Sequence, residues 1–444
     1  MNVVSLFSGC GGLDLGFEKA GFNIIWANEF DKSISETYIK NHSRTILNTT
    51  DIRFLKENEI PNCDGIIGGP PCQSWSEGGK RLGIADSRGK LFLEYIRIVS
   101  QKKPKFFVVE NVKGILDVKH KKALYYFINS FSAIGYNVYC KLLNAADYGV
   151  PQDRYRVFFV GISKEIHDTY YFPNESCSNH ITLQQAIGDI KEEPSFYKEN
   201  EVVKINTLRP NHDVYCGAYD AKYMARNRVR SWDEVSFTMQ AQARNAPQHP
   251  QAPKMTFLSP EKREFVNGAE HLYRRLSVRE CARIQSFPDS FVFDYSNICV
   301  GYKMVGNAVP PRLSYVIAKS IKDFFASVDD KAQNILVGYY KGDKHLKTII
   351  SQKLYYIRST NNKMQCNNLK YLLLHYKNTY HLFSLKKDCH LISSAELRAK
   401  GFSPTFNGNY LAFDISEEVD IKNIESHLDE IKKKASNNYS PFVF

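Results

Sequence analysis

The sequence predicts a parallel, doubly wound α/β sheet that carries an insertion and is followed by a small α+β extension. Three observations lead there. Through about residue 175, apolar runs of strand length alternate with helix-patterned stretches, as in strands joined by crossover helices. From 176 to 296 that alternation stops, and the chain turns polar and rich in Arg and Asn. At "GYKMVGNAVPPRLSYVIAKSIKDFFA" the α/β style resumes with a long helix, so 176–296 reads as a domain inserted before the last helix of the first one.

The elements follow in order. "VVSLF" reads as a buried strand, and a Gly-rich turn then leads into a helix ending near Ala20. "NIIWANEF" is a second strand, and "DKSISETYIKNH" a helix for which Asp31 is the N-cap. "CDGIIGG", "KFFVVEN" and "RVFFVGI" are further buried strands, with "LFLEYIRIVSQ" a helix between the first two. The first domain thus spans 1–175 and is completed by 297–328, the inserted domain spans 176–296, and an accessory domain spans 329–444. The last holds short aromatic strands ("KLYYIRS", "KYLLLHY", "YHLFSL", "NYLAFDI") and a short helix opened by a Ser393–Glu396 capping box. A further helix places Ile421, Ile424, Leu428 and Ile431 at helical spacing.

Composition narrows the function classes. Hydrophobic residues make up 43% and charged residues 24%, ordinary values for a globular protein, and no apolar run is long enough to span a membrane. "MNVVSLFSG" lacks the pattern of a secretory signal, so a cytoplasmic location with reduced cysteines is expected. The ten cysteines include no C-x-x-C pair, and no metal site is expected. A net charge of +12 suits a polyanionic partner such as nucleic acid.

Four stretches carry chemistry. In "LFSGCGGLDLGF" the glycines let backbone approach a ligand, and Glu29 stands at the end of the second strand, where an acid binds ribose hydroxyls. Asp14 occupies the third glycine position of a dinucleotide fingerprint, which favours a nucleoside over a dinucleotide. "GGPPCQSW" sets Cys72 on a stiff turn just past a strand, because neither proline continues a helix or a central strand. "VVENV" puts Glu110 at a strand end as a candidate general acid, and "QDRYR" offers Arg154 and Arg156 to an anion.

In this order, Pro-Pro-Cys-Gln, Glu-Asn-Val, Gln-x-Arg-x-Arg, "RRLSVRECARIQSFPD" and Gly-Asn-Ala-Val resemble the cytosine-C5 DNA methyltransferase family from residue 1 to about 327. The likeness is greatest to the HaeIII type, which modifies GGCC, and includes "MARNRVRSWDEVSFTMQAQARNAPQHPQAP". The resemblance implies a Rossmann-like, S-adenosylmethionine-dependent methyltransferase sheet with a target-recognition domain in the insertion. It implies a site-specific enzyme of a restriction-modification system, acting as a monomer on double-stranded DNA. A cognate endonuclease would be a partner in function, not necessarily in contact.

The family's roles transfer residue by residue. Cys72 would add to C6 of a cytosine flipped from the duplex, Glu110 would serve N3, and Arg156, with Arg154 beside it, would hold O2. The cofactor set is Phe7, Gly9, Gly11, Glu29, Phe30, Asp51, Ile52, Gly69, Pro71, Leu91, Asn307 and Ala308. Lys80, Arg81 and Arg88 lie in a Gly-rich basic stretch after Cys72 that reads as a lid on DNA. Arg226, Arg228, Arg230, Thr238 and Arg244 are the expected target-reading residues, with 226 and 228 on one face of a strand. Competing readings are a tRNA cytosine-5 methyltransferase, which shares the motifs, and a catalytically inactive DNA-binding protein.

Overall fold

The computed structural model describes residues 1–71, 89–166, 168–175, 179–204 and 209–333, and beyond them only the strands of the C-terminal part. β1 (Asn2–Leu6) has Val3, Val4, Ser5 and Leu6 wholly shielded from solvent, as its unbroken apolar run requires in a strand covered on both faces. Around it lie β2 (Asn23–Asn28), β3 (Ile46–Asn48), β4 (Gly65–Gly68), β5 (Phe106–Val112), β6 (Tyr136–Asn144) and β7 (Tyr155–Ser163). They form one seven-stranded sheet in the order β3-β2-β1-β4-β5-β7-β6.

β1 to β5 are parallel, as expected. β7 is not. It inserts between β5 and β6 and runs antiparallel to both. The cause is local: β6 and β7 are joined by the short connection 145–154, which holds one 3-10 turn, Ala145–Tyr148, closed by Gly149 at φ 79°, and no crossover helix. The expectation of a wholly parallel sheet is corrected accordingly. The reversal matters for function, because the start of β7 now lies beside the end of β5, with Arg156 opposite Val112 and Phe158 opposite Glu110.

Helices cover both faces. α1 (Gly12–Lys19) follows β1, and α2 (Ser35–Asn41) follows a 3-10 turn that Asp31 caps by accepting from the Ser33 amide at 3.0 Å. α3 (Gly89–Lys102) and α4 (Lys121–Ala133) bury Phe92, Tyr95, Ile98, Phe127 and Phe131 against Ile66, Phe107, Val109 and Phe159 of the sheet. Phe92 stacks on Phe127 and Phe107 on Phe131, at 3.9 and 4.1 Å between ring centroids.

The insertion contributes α5 (Leu183–Ile187), α6 (Ala221–Met224) and α7 (Val278–Ile284), and α8 (Ile298–Asn307) and α9 (Pro311–Gln333) follow it. Leu183, Met239, Leu276, Ile284, Phe287, Tyr302 and Val305 share one core, which binds the insertion to α8. α9 returns against α1, where Gly16 leaves room that a Cβ would deny, 2.3 Å from Ser314. Arg226 and Arg228 are not on a strand. They follow α6 in an irregular segment in which only Val229 forms a bridge, to Gln248, and the Asn227 amide donates to the Val229 carbonyl two residues on.

Residues Met1–Lys322 form one compact unit and Asp323–Phe444 another. The second unit contains a hairpin, Leu336–Lys341 with Lys344–Ile349, and a four-stranded sheet ordered Tyr371–Tyr376, Thr379–Ser384, Asn409–Asp414, Cys389–Ser393. Three of the expected aromatic strands are among these. "KLYYIRS", the helix expected after Ser393 and the one over 421–431 lie outside the described residues. Among the described residues no helix is long and apolar enough to cross a membrane.

Candidate active site

β1, β4 and β5 end at one edge of the sheet and β7 begins there. A cavity of about 350 Å³ opens at that edge. Its wall takes Phe7, Ser8 and Gly9 from the end of β1, Glu29 and Asp31 from the end of β2, and Gly69, Pro70 and Pro71 from the end of β4. Glu110, Asn111 and Arg156 come from β5 and β7, and Lys303, Met304 and Gly306 to Val309 come from α8 and the turn after it. Ligand sites at the carboxyl ends of parallel strands are the rule for open α/β sheets.

Glu29 is part of that wall. Its Oε2 accepts the Gly9 N–H at 2.9 Å and its Oε1 the Asp31 N–H at 2.8 Å. Burial pushes its carboxyl up despite those two amides. Each oxygen keeps a lone pair for a hydroxyl donor. Gly9 holds φ 58°, and a Cβ there would meet nothing within 4 Å, so glycine is needed for backbone conformation alone. Phe7 stands at φ 54°, a left-handed conformation rare for a bulky residue.

Glu110 and Arg156, on the same wall, pair, Nε to Oε1 at 2.9 Å, each with under a seventh of its side chain exposed. Burial raises the Glu110 carboxyl above the usual range, and the two arginine charges only partly oppose it. Arg156 also donates to the Tyr155 carbonyl at 2.8 Å. A Cβ on Gly69 would lie 3.3 Å from Glu110 Oε2, so the absent side chain keeps this carboxylate open to the cavity. Pro71, on the same wall, immediately precedes Cys72. Cys72 itself, with Lys80, Arg81 and Arg88, lies outside the described residues.

The structure gathers Phe7, Gly9, Glu29, Gly69, Pro71, Glu110, Arg156, Asn307 and Ala308 around this one space. Other expected residues stand elsewhere. Phe30 is 64% exposed and off the cavity wall, because the backbone turns at the end of β2 toward the Asp31 cap. Gly11 backs onto His42: a Cβ there would lie 2.0 Å from the imidazole Nε2, and φ is 90°. The Asp51 carboxylate is taken up by Arg53 and held low by it. Ile52 and Leu91 pack in the core beneath. Arg154 is fully buried and does not line the cavity; its two Nη atoms donate to backbone carbonyls, while its Nε is buried without a partner.

In the insertion, Arg226 and Arg244 are exposed. Arg230 is tied to Asp153 at 3.3 Å and Glu234 at 3.1 Å, and lies over the Phe237 ring. Arg228 donates to the Tyr223 carbonyl at 3.1 Å and lies over its ring, and the Thr238 hydroxyl donates to the Asp153 carbonyl. Two contributors went unforeseen. Asn111 donates to the Pro70 carbonyl at 3.3 Å and so braces the Pro-Pro turn, and Lys303 pairs with Asp31 on the cavity wall. The first was legible in Glu-Asn-Val as a motif but not as a contact. The second pairs residues 272 apart, with no local signal. No group of His, Cys, Asp and Glu suited to a metal occurs among the described residues.

The model of the C-5 cytosine-specific DNA methylase family matches residues 1–323. The Type II methyltransferase M.FnuDI of Fusobacterium nucleatum is 52% identical over 73% of this chain and 94% of its own length. M.MthTI of Methanothermobacter thermautotrophicus is 52% identical over 72% and 97%, and M.NgoPII of Neisseria gonorrhoeae 48% identical over 72% and 95%. Among solved structures, a putative DNA modification methyltransferase from an E. coli prophage shares the fold at a TM-score of 0.57 and 24% identity, covering 73% of this chain and 99% of that one.

Proposed function

The chain belongs to the C-5 cytosine-specific DNA methylase family and is a DNA cytosine-5 methyltransferase of the restriction-modification kind; we propose that it flips a cytosine out of a GGCC-type site and methylates it with Cys72 as nucleophile. The observation that carries this reading is one cavity whose wall holds Glu29, the Glu110–Arg156 pair and Pro71, the residue before Cys72.

The residues fit S-adenosylmethionine. Glu29 offers free lone pairs to ribose hydroxyls, Phe7 offers a ring, and the bare glycines 9 and 69 leave the wall open. A volume of about 350 Å³ suits a ligand of nucleoside size. When bound, that cofactor supplies an electrophilic methyl group.

The chain's own residues prepare the base to receive it. C5 of cytosine is a weak nucleophile. The Cys72 thiolate adds to C6, and the electrons of the C5–C6 double bond become available at C5. Glu110, whose carboxyl burial raises, donates a proton or hydrogen bond to N3 when protonated and so stabilises the charge that sulfur addition places there. Arg156 keeps the Glu110 carboxyl aligned and faces O2. After transfer, loss of the C5 proton returns an electron pair to the ring and expels the Cys72 thiolate, restoring the double bond. Arg226 and Arg244, exposed in the insertion, read guanine edges, while the basic stretch at 80–88 follows phosphates.

Two measurements test this. Plasmid DNA carrying the gene should resist cleavage at GGCC and remain sensitive to nucleases of other sites; protection at a different site would move the target. Duplex with 5-fluorocytosine at that cytosine should trap a covalent adduct, because fluorine does not leave as a proton does. Cys72→Ser should form none. Adduct at the wild-type rate in that variant would show that another residue is the nucleophile.

A further inference from the structure

Arg154 lies two residues from Arg156 but does a different job. It is wholly buried and faces carbonyls from two separate parts of the chain. Its Nη1 donates to the Met239 carbonyl at 3.0 Å, inside the insertion. Its Nη2 donates to the Gly306 carbonyl at 2.8 Å and the Ala308 carbonyl at 2.9 Å, both on the cavity wall. Gln152 repeats the link: its Oε1 accepts the Met239 N–H at 2.8 Å, and its Nε2 donates to Gln285. Gln285 in turn donates to the Val305 and Ala308 carbonyls, at 3.1 and 2.8 Å.

The two parts also touch directly. A Cβ on Gly306 would stand 2.3 Å from the Gln240 carbonyl carbon and 2.4 Å from the Ala241 nitrogen, so the backbones pack with no side chain between them. Moving one part without the other would strand a buried guanidinium and a buried amide away from water, which is strongly unfavourable. Met239 follows Thr238 and precedes exposed Arg244, and Asn307 stands between the two carbonyls that Arg154 holds.

We propose that Arg154 is a positioning residue that couples DNA binding to cofactor binding, by joining segment 238–244 of the insertion to the cavity wall at 306–308. The inference rests on the reading that the cavity takes S-adenosylmethionine and the insertion takes DNA. A duplex that seats the first segment thereby seats the wall, and by linkage the cofactor tightens DNA binding by the same factor. Lysine, with a single ammonium, cannot hold both sets of carbonyls in a fixed fork.

The experiment is a titration of S-adenosylhomocysteine, with and without a short GGCC duplex, into wild type and Arg154→Lys. Wild type should bind it about fivefold or more tightly with the duplex present. In Arg154→Lys the ratio should fall to about one, whatever happens to each affinity alone. A merely structural role would weaken both affinities and leave the ratio intact, and that result would overturn the proposal. Should the variant not fold, hydrogen exchange on wild type decides: the homocysteine compound alone should protect amides in 238–244, and the duplex alone those in 304–309. Absence of either cross-protection would also overturn it. A wild type that binds neither probe would instead remove the functional reading beneath it.

Discussion

Glu110 shows how position alone sets the chemistry of one side chain. Its carboxyl is held above the ordinary value by burial, so it keeps its proton to higher pH than a free glutamate would. If the proton on N3 comes from it, kcat should fall as pH rises through that raised value, and Glu110→Gln should lose that limb along with about 10²- to 10⁴-fold of kcat. A pH profile of single-turnover methylation measures both; an unchanged limb in the variant would assign it to another group. The arginines of the insertion separate in the same way. Arg226→Ala should cost about 1–3 kcal/mol on the cognate duplex and relax one base position. Arg230→Ala breaks half-exposed pairs with Asp153 and Glu234, and should lower stability by about 1 kcal/mol or less with selectivity kept. Binding to cognate and mismatched duplexes across a salt series distinguishes them. Residue types and spacing made Glu29, Glu110 and Arg156 legible in the sequence. They left Arg154 and Arg156 alike, because nothing in Gln-x-Arg-x-Arg says which guanidinium meets carbonyls from residues 85 and 154 positions away.

At the scale of elements, the Gly-rich turn divides its glycines between two duties. Gly9 answers a backbone requirement, whereas Gly11 must also leave room for the His42 ring, itself held by Glu18 at 3.1 Å. Gly11→Ala should therefore destabilise by about 2 kcal/mol or more through the clash and the positive φ together. Adding His42→Ala should return part of that loss, a coupling of more than about 0.5 kcal/mol in urea unfolding. Strict additivity would mean that the turn shifts to avoid the ring. The strands show where pattern reading stops. β1, β2, β4, β5 and β7 are continuous apolar runs and were legible as such. β3 has three residues, and β6 is an edge strand with several exposed or half-exposed positions, so neither rises above the background of loops. Nor does an apolar run carry a sign of direction. The reversal of β7 follows from the length of the turn before it, and it is what delivers Arg156 to Glu110.

For the molecule as a whole, the family likeness ends at residue 323, where the second compact unit begins. A chain cut to residues 1–333, which keeps all of α9, should fold in one cooperative transition and retain site-specific methylation. Loss of methyl transfer in a chain that still melts cooperatively would give the C-terminal unit a part in catalysis. The change of composition at about residue 176 was legible, but the path of the segment that follows was not, because short irregular stretches held by Arg275, Arg279 and Gln248 leave no periodicity. The cavity wall from Lys303 to Val309 comes after that whole insertion in the chain. Synthesis runs from the N-terminus, and early parts of a chain can fold while later parts are still being made. On the ribosome, then, the strand ends, the Pro-Pro turn and every arginine of the insertion emerge before the last wall does. On the proposed reading, a chain stalled short of residue 303 carries its DNA-reading arginines but lacks the wall that completes the space for a methyl donor.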